Sequence, residues 1–178
     1  MSSTFKITKK RPRDYILYSA IILVGIILDQ ITKWLSVKFL SKVATVPIIK
    51  NVIHLTYVEN RGAAFGMFKD HRWVFMVTST VMLIVLSLYL YLGLAENKLY
   101  EISVAMIISG GIGNMIDRIA LKYVIDFIDF RLINFAVFNG ADSFVCVGAG
   151  LLVLALMRDI IKESKESKER KNNGGDAE

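Results

Sequence analysis

Residues 132–157 read "LINFAVFNGADSFVCVGAGLLVLALM". Asp142 is the one charged residue among these 26. A membrane-spanning helix needs about 20 predominantly apolar residues, and this run supplies them. An ionised carboxylate inside such a helix costs several kcal/mol unless it finds partners, so Asp142 marks a functional site. Asn139 lies three residues earlier, on the same helix face, within reach of a hydrogen bond to it. Cys146, four residues later, shares that face, but no base or cation nearby in sequence would activate its thiol. A packing role is expected for it.

The rest of the chain has the same texture. It is 178 residues long and 54% hydrophobic, above the roughly 45–50% of soluble domains. Charges crowd into the ends and loops. Spans are expected at residues 15–37, 73–95, 99–118 and 135–157, the second of them wholly uncharged. The basic start (Lys6, Lys9, Lys10, Arg11, Arg13) followed by apolar residues resembles a signal peptide. No small-residue cleavage site follows it, only "LDQITKW" (28–34), so the first span is read as uncleaved. Residues 1–160 form a single four-span membrane domain. Residues 161–178 are a charged, low-complexity tail, expected to fray from helix into disorder on the cytoplasmic side.

Four spans place both termini on one side. Basic residues precede the first span and follow the last (Arg158, Lys162, Lys165, Lys168, Arg170, Lys171), so both ends are cytoplasmic. The net charge of +6 therefore reports orientation, and no nucleic-acid partner is expected. In this topology Asp29, Asn114, Asp117 and Asp142 all sit at the outer ends of spans, and Asp126 sits in the outer loop between the third and fourth. With Met157 at the inner boundary, Asp142 lies about 22 Å away at about 1.5 Å per residue. That is just beneath the outer surface of a core about 30 Å thick.

The outer segment, residues 38–72, is too polar to cross. "NVIHLTYVEN" (51–60) is rich in β-branched and aromatic residues and suits a strand. "ENRGAAFG" (59–66) reads as a turn, with Gly62 free to take positive φ. The fold class is thus a mainly α integral membrane protein, with four transmembrane helices and a small extracytoplasmic β-sheet cradle. The single cysteine allows no intrachain disulfide. His54 and His71 lack ligand spacing, so no metal or cofactor is expected.

Four further groups carry chemistry. In "SGGIGNMIDRIA" (109–120), Gly110, Gly111 and Gly113 let another helix approach. Asn114, Asp117 and Arg118 share one face; packing with an interfacial Asp–Arg pair would account for these residues equally well. Asp29 and Lys33, at i and i+4, form either a simple interfacial ion pair or part of a site. In "VIDFIDF" (124–130), Asp126 and Asp129 share a face if helical and oppose each other if extended. Asp142 needs a partner, and the outer-face aspartates supply candidates. Two carboxylates a few ångströms apart in low dielectric cannot both ionise, as in the aspartate pair of pepsin. The ionised one accepts a proton from water and the protonated one donates to a carbonyl oxygen, which supports amide hydrolysis.

Five motifs, "DQITK", "ENRGAAFG", "GGIGNMIDR", "VIDFID" and "FNGADS", stand in an order and spacing that resemble the bacterial lipoprotein signal peptidases (signal peptidase II), which are membrane aspartic proteases. The resemblance covers about Tyr15 to Met157. It implies that Asp126 and Asp142 are the catalytic pair. It implies supporting or substrate-binding roles for Asp29, Lys33, Asn60, Gly62, Asn114, Asp117, Arg118 and Asn139. The implied activity removes the signal peptide from diacylglyceryl-modified prolipoproteins, just before the lipid-bearing cysteine, in the bacterial cytoplasmic membrane. Implied partners are those prolipoproteins, membrane lipid and globomycin-type inhibitors, with the protein a monomer. Two positions depart from the family pattern: Gly140, where Ile or Val is usual, and Phe65, where many members have Trp. Glycine at 140 is expected to loosen the start of the fourth span by about 0.5–1 kcal/mol relative to alanine.

A small proton- or ion-coupled transporter is the main rival reading. It requires polar groups on a path to both faces, and the cytoplasmic halves of the spans read as uncharged. A scaffold with interfacial ion pairs would make Asp126 and Asp142 matter only through stability.

Overall fold

The computed structural model describes residues 11–43, 45–62, 72–95 and 97–174. Lys6, Lys9 and Lys10, the 63–66 half of the expected turn with Phe65, and His71 lie outside them. Among these residues the chain forms four helices, α1 (Pro12–Leu40), α2 (Arg72–Tyr91), α3 (Lys98–Ala120) and α4 (Gly140–Gly174), and three strands, β1 (Val46–Ile49), β2 (Ile53–Asn60) and β3 (Val124–Phe130). The strands form one antiparallel sheet in the order β1-β2-β3.

The first helix is built inside out. Pro12 occupies its first turn, where its missing N–H costs nothing. Its buried face carries Asp14, Tyr18, Gly25, Asp29, Lys33, Ser36 and Leu40, while Ile16, Leu23, Val24, Ile27, Leu28 and Ile31 are exposed. Polar groups turned inward and apolar ones outward suit a helix surrounded by hydrocarbon. Among the described residues three helices are long and apolar enough to cross a membrane: α1, α3 and the Gly140–Glu169 part of α4. The apolar stretch of α2, Met76–Tyr91, is shorter.

The third helix is the hub, packing against α4, α1 and α2. Its glycines make that possible. A Cβ on Gly110 would stand 2.2 Å from the Ala141 carbonyl oxygen on α4, and one on Gly113 would stand 2.6 Å from Asp29 Oδ2 on α1. The expected close approach at this motif is therefore real, and it brings two helices to the same end of α3.

Several expectations are corrected. The fourth helix begins at Gly140, not 135, because Asn139 ends the extended chain that precedes it. There Phe138 bridges to Ile128, its N–H donating to the Ile128 carbonyl at 3.0 Å. At its other end α4 continues to Gly174, so the helix runs well past residue 161 into the charged tail. Lys and Glu are strong helix formers, and Lys162 pairs with Glu166 at 3.9 Å, one turn on. The segment "VIDFIDF" adds a third strand that residues 38–72 alone could not supply. The described residues with positive φ are Asn51, Lys122, Asn134 and Gly93, so Gly62 does not use that freedom.

The helix ends opposite the sheet, read in the sequence as uncharged, are not free of charge. Glu101 on α3 is 2% exposed and Asp14 on α1 is 6% exposed. Tyr18 donates to Glu101, and Lys98 bonds Asp14. This pins α1 to α3 at the end opposite the sheet. Tyr100 Oη donates to Asp159 Oδ2 at 2.9 Å, tying α4 to the same end.

Candidate active site

The later start of α4 changes the meaning of Asp142. It stands in the first turn of the helix, not two turns inside it. At this end, backbone N–H groups lack helical partners and the helix dipole favours negative charge. Asn139 and Asp142 cap each other. The Asp142 N–H donates to Asn139 Oδ1 at 2.9 Å, and the Asn139 N–H donates to Asp142 Oδ2 at 3.3 Å. The reciprocal geometry is that of a capping box, here with Asn and Asp in its two positions.

The same asparagine reaches the second aspartate. Asn139 is fully buried, and its Nδ2 donates to Asp126 Oδ1 at 2.7 Å and to the Ile125 carbonyl at 3.2 Å. Asp126 and Asp142, sixteen positions apart in sequence, are thereby bonded to one residue. Asp126 comes from β3, where the extended backbone separates it from Asp129. Asp129 instead accepts from Thr56 at 2.7 Å and Arg131 at 2.8 Å. Burial acts to raise its pKa, but those two bonds prevail and hold it below the ordinary value.

Asp126 is 2% exposed, and its pKa is pushed up to about 6. Burial is the main cause. Hydrogen bonds from Asn60 and Asn139 and the Lys33 charge oppose it, while the charge on Asp142 reinforces it. The Asn60 bond, Nδ2 to Asp126 Oδ2 at 2.9 Å, is itself oriented. The Gly62 N–H donates to Asn60 Oδ1 at 3.0 Å, which fixes which end of the amide faces Asp126.

Beneath the pair lies a buried ionic cluster. Lys33 is 1% exposed. Its ammonium contacts Asp29 Oδ2 and Asp117 Oδ2, each at 2.9 Å, and donates to Asn114 Oδ1 at 2.9 Å. Three donors thus meet three acceptors. Asn114 Oδ1 also accepts from Asn139 Nδ2 at 3.0 Å, so its amide must present Nδ2 to Asp142 Oδ1, at 2.7 Å. The Asp29–Lys33 pair is therefore a buried clamp, not a simple interfacial one. Asp117 bonds Lys33. Arg118 donates to the Asn114 carbonyl at 3.3 Å, and its charge is felt by Asp142 and Asp126.

All ten residues singled out in the sequence (Asp29, Lys33, Asn60, Gly62, Asn114, Asp117, Arg118, Asp126, Asn139, Asp142) join this network. Cys146 does not, and it is exposed, so its expected packing role is corrected. One member escaped sequence reading: Gln30 Nε2 bonds both Asp29 and Asp117. Its signal was a second polar residue beside Asp29 in an otherwise apolar helix. Among the described residues no group of His, Cys, Asp and Glu is arranged to hold a metal ion.

Buried carboxylates at the sheet end of apolar helices define a membrane enzyme. Two solved structures described as bacterial membrane enzymes share this architecture. One superposes with a TM-score of 0.73 and 27% identity over 81% of this chain and 89% of its own. The other has a TM-score of 0.70 and 28% identity over 80% and 94%. The chain belongs to the Signal peptidase (SPase) II family, whose profile matches residues 21–158. It is 52% identical over 135 residues to the lipoprotein signal peptidase of Caldanaerobacter subterraneus subsp. tengcongensis, covering 75% of this chain and 92% of that protein. It is 44% identical over 142 residues to that of Clostridioides difficile, covering 79% and 95%.

Proposed function

We propose that this protein is an aspartic endopeptidase that removes the signal peptide from diacylglyceryl-modified prolipoproteins, cutting just before the lipid-bearing cysteine. The pairing of Asp126 and Asp142 through Asn139, in a chain of the signal peptidase II family, carries this reading. The pair shares one proton, which belongs to the dyad and not to either residue alone. The ionised member draws a proton from water, and the hydroxide equivalent adds to the scissile carbonyl carbon. The protonated member donates to the carbonyl oxygen, and the leaving amine then takes a proton from the dyad. Asn60, Asn114 and Asn139 hold the two carboxyls in the required orientation.

The membrane arrangement follows from the same residues. α2 completes a four-span bundle, and both termini are cytoplasmic in the bacterial inner membrane. The dyad and the sheet then lie near the extracytoplasmic face. The lipidated cysteine is held at that depth by its acyl chains, which remain in the bilayer against exposed apolar helix faces. Globomycin-type cyclic peptides are expected to occupy the site, and the protein works as a monomer.

The test is direct. Purified protein is incubated with a diacylglyceryl-modified prolipoprotein, and signal-peptide release is followed. Wild type cleaves; Asp126→Asn and Asp142→Asn, shown to be folded by thermal melt, do not. Full activity in either variant removes that residue from the dyad.

A further inference from the structure

We propose that Gln30 is a positioning residue that works alongside Lys33 to set the separation between Asp126 and Asp142. The proposal rests on the peptidase reading and deepens it. It begins with a symmetry in the backbone. Asp29 Oδ1 accepts the N–H of Ala141 at 2.8 Å, and Ala141 immediately precedes Asp142. Asp117 Oδ2 accepts the N–H of Ile125 at 3.1 Å, and Ile125 immediately precedes Asp126. Each candidate catalytic aspartate therefore follows a peptide group pinned by a buried acid. The distance between the two pinning acids is passed directly to the dyad.

Two struts join those acids. Lys33 is one, at 2.9 Å to each. Gln30 is the other: its Nε2 lies 3.2 Å from Asp29 Oδ2, 3.1 Å from Asp117 Oδ1 and 3.2 Å from the Gly113 carbonyl. The struts are not redundant. An ammonium is a rotatable point charge that attracts without fixing direction. Lys33 and the Ile125 N–H both hold Oδ2 of Asp117, so they leave its carboxylate free to swing about that oxygen. Gln30 holds the other oxygen, Oδ1, and so fixes the plane of the group. Its contact with the Gly113 carbonyl anchors α1 to the backbone of α3 at the same level. The charged groups around this point are Asp29 and Lys33 from α1, Asp117 and Arg118 from α3, Asp126 from β3 and Asp142 from α4. Without the Gln30 strut Asp117 turns, Ile125 follows, and Asp126 moves relative to Asp142.

The test measures kcat and KM for prolipoprotein cleavage by Gln30→Leu. Gln30→Met, which keeps the chain length without the donors, serves as a second variant should the first not fold. Tyr100→Phe is the control: it loses the Asp159 bond at the opposite end of the bundle and lowers Tm without touching the site. The expected result is a kcat lower by about 10- to 100-fold, the range that displacements near 1 Å produce, with KM unchanged. Tyr100→Phe keeps wild-type kcat. The proposal is overturned by wild-type kcat in the Gln30 variants, by a change confined to KM, or by an equal kcat loss in Tyr100→Phe at matched Tm. Failure of the wild-type protein to cleave at all would instead overturn the peptidase reading on which the proposal stands.

Discussion

Asn139 and Asp142 cap one another, side chain to backbone in both directions, at 2.9 and 3.3 Å. The helix start and the candidate dyad are thus one construction. The Asn139 side chain also donates to Asp126 at 2.7 Å, so a capping residue holds both carboxyls. Asn139→Ala should lower stability by about 1 kcal/mol through the lost cap. It should lower kcat by about 100-fold through misplacement of the pair. A thermal melt and a cleavage assay separate the two effects; a stability loss with intact kcat would reduce Asn139 to a cap.

The raised pKa of Asp126 makes stability depend on pH in a defined direction. Its ordinary value is 3.8, and burial lifts it to about 6 in the fold. The folded state therefore holds this proton more tightly than the unfolded chain does. The resulting stabilisation is complete below the ordinary value and is lost as pH rises through about 6. The free energy at stake is on the order of 3 kcal/mol. Asp126→Asn cannot titrate, so its Tm should change less than that of wild type between about pH 4 and pH 7. Parallel Tm–pH curves for the two proteins would contradict the raised value.

Among the described residues Lys33 is the single buried cation, and it sits between two buried acids. Lys33→Met leaves Asp29 and Asp117 facing each other with only neutral donors. Breaking a buried pair in this way costs about 3–5 kcal/mol. The expected outcome is a large drop in Tm or a failure to accumulate folded protein. A change under about 1 kcal/mol would mean that water reaches the cluster and screens it.

Two glycines near the site should respond oppositely to alanine. At Gly110 a Cβ would meet the Ala141 carbonyl at 2.2 Å, which backbone cannot yield without moving α4. Gly110→Ala should cost about 1–3 kcal/mol from overpacking and reduce cleavage by displacing Asp142. At Gly140 the nearest atom, Asp29 Oδ1, would be 3.4 Å away, close to ordinary contact. Gly140→Ala should retain activity and gain about 0.4–1 kcal/mol by restricting the unfolded chain. Chemical or thermal denaturation in detergent reads both.

Legibility in the sequence varied with the range of the interaction. The apolar runs and the charges between them revealed the helices, because burial in hydrocarbon is written residue by residue. Their ends were less legible. Phe135 to Phe138 are apolar and read as helix, yet Phe138 pairs with β3 and Asn139 sets the true start. The charged run after residue 161 read as a solvated tail, yet its Lys and Glu residues continue α4 to Gly174. Glu101 already stood in the sequence, three residues after Lys98 and inside the expected third span; the fold alone supplied Tyr18, which reaches it when α1 meets α3.

The order and spacing of five polar motifs on apolar helices already determined a membrane protein with its polar groups at one end, together with its family likeness. Tertiary structure decided which of those groups are partners. It separated Asp126 from Asp129 by making β3 extended, and it moved Asp142 from about two turns inside the expected helix to the first turn of α4. It joined Asp29 to Ala141 across 112 positions and brought Gln30 between two acids. The physical reason is that apolarity and periodicity are local properties, whereas a hydrogen bond between distant residues exists only once glycines such as Gly110 and Gly113 let the backbones close on one another.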